Sequence, residues 1–166
     1  MIILGIDPGI AIVGWGVLRY DGGSRFVPVA FGSIQTKAGL KVEERLRQIH
    51  VSLKEIIEKY KPDVMSVEEL FWNTNQKTGI VVAEARGVIL LGAHEAGIPI
   101  FEYTPLQVKQ AVVGYGRAEK HQVISMVTSM LGLKQPPKPD DTADAIALAI
   151  CHGHCAASRL GSFYNN

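Results

Sequence analysis

The sequence predicts an α/β fold: a mixed five-stranded sheet, an antiparallel meander of three strands extended by parallel strands, with helices on both faces. Three observations predict it. The chain opens Met1-Ile2-Ile3-Leu4-Gly5-Ile6-Asp7-Pro8-Gly9, an apolar run of the kind found in a strand buried on both faces. Two more strand-like runs follow with no helix between them. Beyond these, helical and strand-like stretches alternate, the pattern of crossover units that add parallel strands to a sheet.

Composition sets the frame. The chain has 166 residues, 47% hydrophobic and 20% charged, which suits one domain with a sizeable core. Residues 1–158 are expected to form that domain and residues 159–166 a flexible C-terminal tail. No stretch approaches the ~20 apolar residues that span a bilayer, and the N-terminus has no basic region ahead of its first strand. The expectation is a cytoplasmic protein without a membrane segment. Cys151 and Cys155 lie too close together to build a disulfide framework. The net charge of +1 gives no global attraction for nucleic acid, so a nucleic-acid partner requires basic residues gathered on one face.

The first strand ends at Asp7, because Pro8 cannot donate to a ladder and Pro-Gly favours a turn. Ala11 to Tyr20 reads as the second strand, with Gly14 and Gly16 on one face and Trp15 on the other. Asp21-Gly22-Gly23-Ser24 is a turn. Phe26 to Thr36 is the third strand, where Pro28 calls for an edge position or a bulge. Lys41 to Tyr60 is the clearest helix: Val42, Leu46, Ile49, Leu53, Ile56, Ile57 and Tyr60 recur at helical spacing, with charges filling the other face. Lys61-Pro62-Asp63 ends it, and Val64 to Glu68 is a short buried strand finishing in acid. Asn73 to Lys77 reads as a polar loop.

Thr78 to Ala96 is helical and apolar nearly all round, which asks for a second burial surface. Small residues at Ala83, Gly87, Gly92 and Ala96 would admit a close neighbour, either the protein's own elements or a second copy of the chain. Ile98 to Tyr103 is a strand. Thr104-Pro105 starts a helix, with threonine as cap and proline at the first helical position. Val113 to Arg117 is a loop, and Glu119 to Leu131 a helix. Gln135-Pro136-Pro137-Lys138-Pro139 cannot be helical, and Asp140 opens a last helix running to about Ala157.

The acids are the chemical signal. Crossover connections put parallel strands with their C-terminal ends at one sheet edge, so Asp7 and Glu68 stand together if their strands are neighbours. Asp141 and Asp144 share a face at the start of the last helix. Converging carboxylates repel one another and raise each other's pKa. An oxygen-rich site of that kind suits Mg²⁺ or Mn²⁺, and two such ions ~3.5–4 Å apart stabilise both the attacking and the leaving oxygen of a phosphodiester. Taken alone, Asp7 is equally compatible with an aspartate satisfied by turn amides, and Asp140 and Asp141 with helix capping. Asp144 lies past the first turn among Ala and Ile, where capping does not account for it. Glu69 should point to the face opposite Glu68.

Taken in order, Gly5-Ile6-Asp7-Pro8-Gly9, Glu68 with Phe71, Ala85-Arg86-Gly87, Tyr103-Thr104-Pro105 leading to Val108-Lys109-Gln110, Val113-Gly114-Tyr115-Gly116-Arg117-Ala118-Glu119-Lys120 and Asp141-Thr142-Ala143-Asp144-Ala145-Ile146 closely resemble the RuvC family of Holliday-junction resolvases, within the RNase H-like nucleases. The likeness runs from the first residue to about Cys155. It implies an RNase H-like fold and a ligand set of Asp7, Glu68, Asp141 and Asp144 holding two Mg²⁺ per subunit, with Mn²⁺ as a substitute. It implies a homodimer that binds a four-way DNA junction and makes paired nicks in strands of like polarity, leaving 5′-phosphate and 3′-hydroxyl ends. A working partnership with the RuvA–RuvB branch-migration motor is also implied. Some relatives carry His where Asp141 stands, so acid, base and ligand all stay open for that residue.

The same resemblance marks Phe71 as an aromatic that stacks on opened bases and Lys109 and Lys120 as DNA contacts near the cut. Lys77, Arg86 and Arg117 are further DNA-binding candidates, although Arg86 could instead pair with Glu84 or Glu102. Trp72 has either a stacking or a packing role. Tyr115 either touches DNA or caps a helix. The run Cys151-His152-Gly153-His154-Cys155 invites a zinc reading, but its spacing fits no standard module. An actin-like ATPase opens with the same Gly-Ile-Asp-x-Gly but needs two large lobes. A non-catalytic junction binder would lack one of the acids. The alternative of an RNase H-like nuclease acting on another nucleic acid stays open, with the apolar helix around Gly87, which suggests a two-fold partner, leaning against a plain RNase H.

Overall fold

A computed structural model describes residues 1–69 and 76–157. The sheet has five strands in the order β3-β2-β1-β4-β5: β1 (Ile2–Asp7), β2 (Ile12–Tyr20), β3 (Phe26–Gln35), β4 (Val64–Glu68) and β5 (Ile100–Tyr103). β1 to β3 are an antiparallel meander, and β4 and β5 add to β1 in parallel. This is the predicted mixed sheet, with β1 at its centre. Pro28 sits on the edge strand at a register irregularity, where Val17 faces Ala30 but Leu18 faces Pro28. Both features that proline called for are present.

The helices are α1 (Val42–Tyr60), α2 (Gln76–Glu95), α3 (Pro105–Val113), α4 (Lys120–Met130) and α5 (Asp140–Ala157). Alternation along β1 sorts the two cores. Leu4 and Ile6 pack with Ile49, Leu53, Ile57, Ala85 and Ile89 of α1 and α2. Ile3 faces the other way, into a core with Ile146, Leu148 and Ile150 of α5 and with Val108 and Val123 of α3 and α4. Helix α2 begins at Gln76, so Lys77, expected in a loop, lies in its first turn. The predicted loop otherwise falls outside the described residues, as do Phe71, Trp72 and the tail 159–166.

Helix α5, rather than α2, is the one enclosed on all sides. Ala143, Ala145, Ile146, Ala147, Ala149, Ile150 and Cys151 have no exposed surface. It lies against β1 and β2, with α3 and α4 packed on its outer side. The sheet's glycines account for how close it lies. A Cβ on Gly5 would come within 1.9 Å of the Ala145 carbonyl oxygen, and one on Gly14 within 1.9 Å of the Asp141 carbonyl oxygen. Two buried hydroxyls pin the helix as well: Ser66 donates to the Leu148 carbonyl at 2.8 Å and Thr142 to the Gly32 carbonyl at 3.1 Å. By contrast α2 buries Ala85, Ile89 and Ala93 against α1 and the sheet and leaves Ile80 and Leu91 each 53% exposed. None of the described helices is long and apolar enough to cross a membrane.

Candidate active site

The register pairs Ile6 of β1 with Val67 of β4 in parallel, so Asp7 and Glu68 are the next residues of adjacent strands. Alternation aims Asp7 to the same face as Ile3 and Gly5, and Glu68 to that of Val64 and Ser66. That face is the one α5 covers. The glycine-mediated approach of α5 brings Asp144 to the same place. Asp7, Glu68 and Asp144 line one cavity of about 240 Å³, with Lys109 and Lys120 also in its lining and Pro105, Val108, Val123 and Leu148 as its apolar walls.

The helices that carry the lysines have well-defined starts. Thr104 caps α3 by accepting from the Gln107 amide at 3.1 Å, while Gln107 Oε1 accepts from the Thr104 amide at 2.8 Å. This reciprocal capping box orients the turn that leads to Lys109. The Gln122 side chain closes the start of α4 in the same way: its Oε1 accepts from the Glu119 amide at 2.9 Å and from the Tyr115 hydroxyl at 2.8 Å. Tyr115 thus supports the side chain that caps α4 while remaining 46% exposed.

Burial dominates the electrostatics. It pushes Asp7 up to about 8, with repulsion from Glu68, Asp144 and Asp141 adding to it and Lys120 opposing. Glu68 is raised by burial and then by Asp144, against Lys120 and Lys109. Asp144 is raised by burial, against its bond to Lys120. Lys120 Nζ lies 2.9 Å from Asp144 Oδ2 and 3.9 Å from Asp140 Oδ2. Burial disfavours its charge, but these acids outweigh burial and its pKa is raised. Ionising all three acids would therefore put more negative charge in the cavity than its two lysines neutralise.

Asp141 is half-buried in the first turn of α5. It is outside the cavity lining, though near enough to act on Asp7 and Asp144. Asp140 is exposed at the helix start and Glu69 is exposed beyond the site. Arg117 is exposed on the loop before α4. Arg86 is engaged within the protein: its Nε donates to the Glu68 carbonyl at 3.3 Å and its Nη2 pairs with Glu102. Of its two candidate acids, Glu102 is the partner. Sequence reasoning missed a clamp on the turn between β1 and β2, where Arg45 of α1 donates to the Thr36 hydroxyl at 2.7 Å and to the Ile10 carbonyl at 3.2 Å. It also passed over Ser66, although a lone hydroxyl two residues before Glu68 in a buried strand signals a partner across the core.

Among the described residues, no three acidic, histidine or cysteine side chains form a ready-made metal cage. The two histidines of α5 bond within the protein, and Cys151 and Cys155 are free thiols. His152 Nδ1 lies 2.8 Å from the Tyr103 hydroxyl, and burial lowers its pKa to about 4. His154 Nδ1 lies 3.0 Å from the Ala111 carbonyl oxygen.

The sheet order, the enclosed helix and the acids at the sheet rim define an RNase H-like nuclease. The model of the family described as crossover junction endodeoxyribonuclease RuvC matches residues 3–152. The chain is 57% identical to the crossover junction endodeoxyribonuclease RuvC of Brevibacillus brevis, over 95% of this chain and 94% of the relative. It is 52% identical to that of Ruminiclostridium cellulolyticum, over 100% and 98%. Its fold is similar to that of T. thermophilus RuvC in complex with Holliday junction substrate, with a TM-score of 0.90 and 37% identity over 95% of each chain. The chain belongs to the RuvC family of crossover junction endodeoxyribonucleases.

Proposed function

We propose that this chain resolves four-way DNA junctions by hydrolysing one phosphodiester bond per active site. The observation that carries the reading is the shared cavity: Asp7 from β1, Glu68 from β4 and Asp144 from α5, faced by Lys109 and Lys120. All three acids are pushed toward their protonated forms by burial and charge, a load that a divalent cation relieves and a lysine only partly offsets. The donor set fits Mg²⁺ or Mn²⁺, which take carboxylate oxygens and keep several waters.

Asp7, Glu68 and Asp144 would hold the metal, two ions per subunit, with Asp141 one turn away as a further ligand or as a base. When bound, such ions activate water and stabilise the oxygen that departs from phosphorus. Lys109 and Lys120 hold the non-bridging oxygens of the scissile phosphate, and Lys120 exchanges Asp144 for phosphate as the strand enters. Water adds to phosphorus as the bond to the 3′ oxygen breaks, leaving a 5′-phosphate and a 3′-hydroxyl. Pro105, Val108 and Val123 exclude bulk water from the far wall. Phe71 stacks on a base opened at the crossover, and Arg117 and Lys77 bind the flanking backbone.

Paired nicks need two sites. Ile80 and Leu91 are exposed on the face of α2 turned away from its own core, with Gly87 exposed between them. This supports a homodimer through α2. Family membership supports work alongside the RuvA–RuvB motor. The decisive experiment incubates the protein with a synthetic four-way junction, with and without Mg²⁺, and maps the nicks. Symmetry-related, ligatable nicks that require Mg²⁺ are expected. Equal cleavage of linear duplex, or faster cleavage of an RNA–DNA hybrid, overturns the reading.

A further inference from the structure

Glu68 ends its strand beside a gap in the hydrogen-bond ladder. The amides of Met65 and Glu69 donate to the carbonyls of Pro99 and Tyr103, so the odd-numbered residues of β4 face β5. Glu68 therefore faces β1. With Ile6 opposite Val67, the parallel ladder would meet the Glu68 carbonyl with the amide of residue 8. Residue 8 is proline and has no amide hydrogen.

Arg86 supplies the missing donor. Its Nε donates to the Glu68 carbonyl at 3.3 Å, and its Nη2 pairs with Glu102 of β5. The side chain is only 14% exposed, and it comes from α2, on the sheet face opposite the catalytic cavity. The cations that act on the Glu68 carboxyl are Lys120 and Lys109, so the contact made by Arg86 is to the backbone.

The geometry points to Arg86 as a positioning residue, resting on the nuclease reading above: it replaces the ladder bond that Pro8 cannot make and thereby aims the Glu68 carboxylate into the cavity. Pro8 leaves the Glu68 carbonyl without a ladder donor, and the arginine supplies one. The planar guanidinium serves both acceptors at once, Nε on the carbonyl and Nη2 on Glu102. Because α2 also carries the exposed Ile80 and Leu91, the same contact links the proposed dimer face to a catalytic acid.

The test compares wild type, Arg86→Met, Arg86→Lys and Glu102→Gln as full-length proteins. Three quantities are read: the single-turnover rate on a four-way junction across a Mg²⁺ titration, junction Kd by anisotropy without divalent metal, and Tm. Arg86→Met is expected to cleave ~10–100-fold more slowly, the scale of a roughly 1 Å misplacement, with a raised Mg²⁺ requirement and an unchanged Kd. Glu102→Gln, which leaves the Nε contact intact, is expected to lose less. If Arg86→Met does not fold, Arg86→Lys carries the test on the same readouts, with a smaller loss of rate and an unchanged Kd. A wild-type rate in Arg86→Met overturns the inference. So does weakened junction binding with a shallower salt dependence, which makes Arg86 a phosphate contact. Parallel losses of Tm, rate and binding overturn it too, since they mark a purely structural residue. Failure of the wild type itself to cut any junction instead removes the nuclease reading, so the two failures are distinguishable.

Discussion

The closeness of α5 to the sheet can be tested at Gly5. An alanine Cβ there would lie 1.9 Å from the Ala145 carbonyl oxygen, 2.9 Å from the Ala149 amide nitrogen and 3.0 Å from the Ala145 carbonyl carbon. Ordinary contact begins at 3.4 Å, so 3.4 minus 1.9 leaves about 1.5 Å to be found. All three neighbours are helix backbone, which cannot turn aside as a side chain would. Either α5 lifts or the centre of β1 is displaced. Overpacking of this kind costs ~1–3 kcal/mol. Ala145 adjoins Asp144, so a lift carries that carboxylate away from Asp7 and Glu68. A displacement of ~1 Å can cost ~100-fold in rate. Gly5→Ala should therefore melt several degrees lower, and at a temperature where it is fully folded it should still cut a four-way junction at least ~10-fold more slowly. Thermal denaturation followed by single-turnover cleavage measures both effects. A variant with wild-type Tm and rate would refute the close packing of α5 and its part in placing Asp144.

Other outcomes follow from the same geometry. Asp7→Asn should abolish cleavage and spare junction binding, as gel shift and cleavage on one substrate will show. Without divalent metal, the folded protein holds on Asp7 a proton that the unfolded chain releases, because burial raises its pKa from 3.8 to about 8. Wild-type stability should therefore fall as pH rises through that window and level off above it. Asp7→Asn should lack this loss and be more stable near pH 8 by ~2–3 kcal/mol after relaxation of the site, at ~1.4 kcal/mol per tenfold in proton affinity; saturating Mg²⁺ should narrow the difference, and a flat wild-type profile in EDTA would count against the burial of Asp7. Ser66→Ala leaves the Leu148 carbonyl without its hydroxyl donor and should lower stability by ~1–2 kcal/mol in urea unfolding. Phe71→Ala should lower cleavage more than binding, whereas a large fall in Tm would mark it as a packing residue. Light scattering should find a dimer at micromolar concentration.

Much of this site was legible in the chain. Asp7 before Pro-Gly, Glu68 closing a buried strand, and Asp144 as the one acid amid Ala and Ile each marked an element end or a break in an apolar pattern. Such signals are local, and so are the capping box at Thr104 and the proline on the edge strand. The glycines at 5, 14 and 16 were visible too, but nothing along the chain said that a helix backbone from positions 141–149 would fill the space they leave. The apolar composition of α2 left open whether its second surface meets the protein's own elements or a second copy, and it is α5 that the fold encloses. Its alanines permit closer approach to the sheet than the branched residues of α2, and composition alone does not rank two apolar helices by depth.

By itself the sequence determined the order and approximate extent of the strands and helices and which acids stand at strand ends, because periodicity, turns and caps act over a few residues. Only the tertiary structure decided that Lys120 pairs with Asp144, that Asp141 stands outside the cavity and that Arg86 turns to Glu102 and the Glu68 carbonyl. Those choices depend on sheet register and on how closely α5 can lie against it. Both are settled when distant segments pack, with glycine, alanine and proline at a few positions deciding the approach.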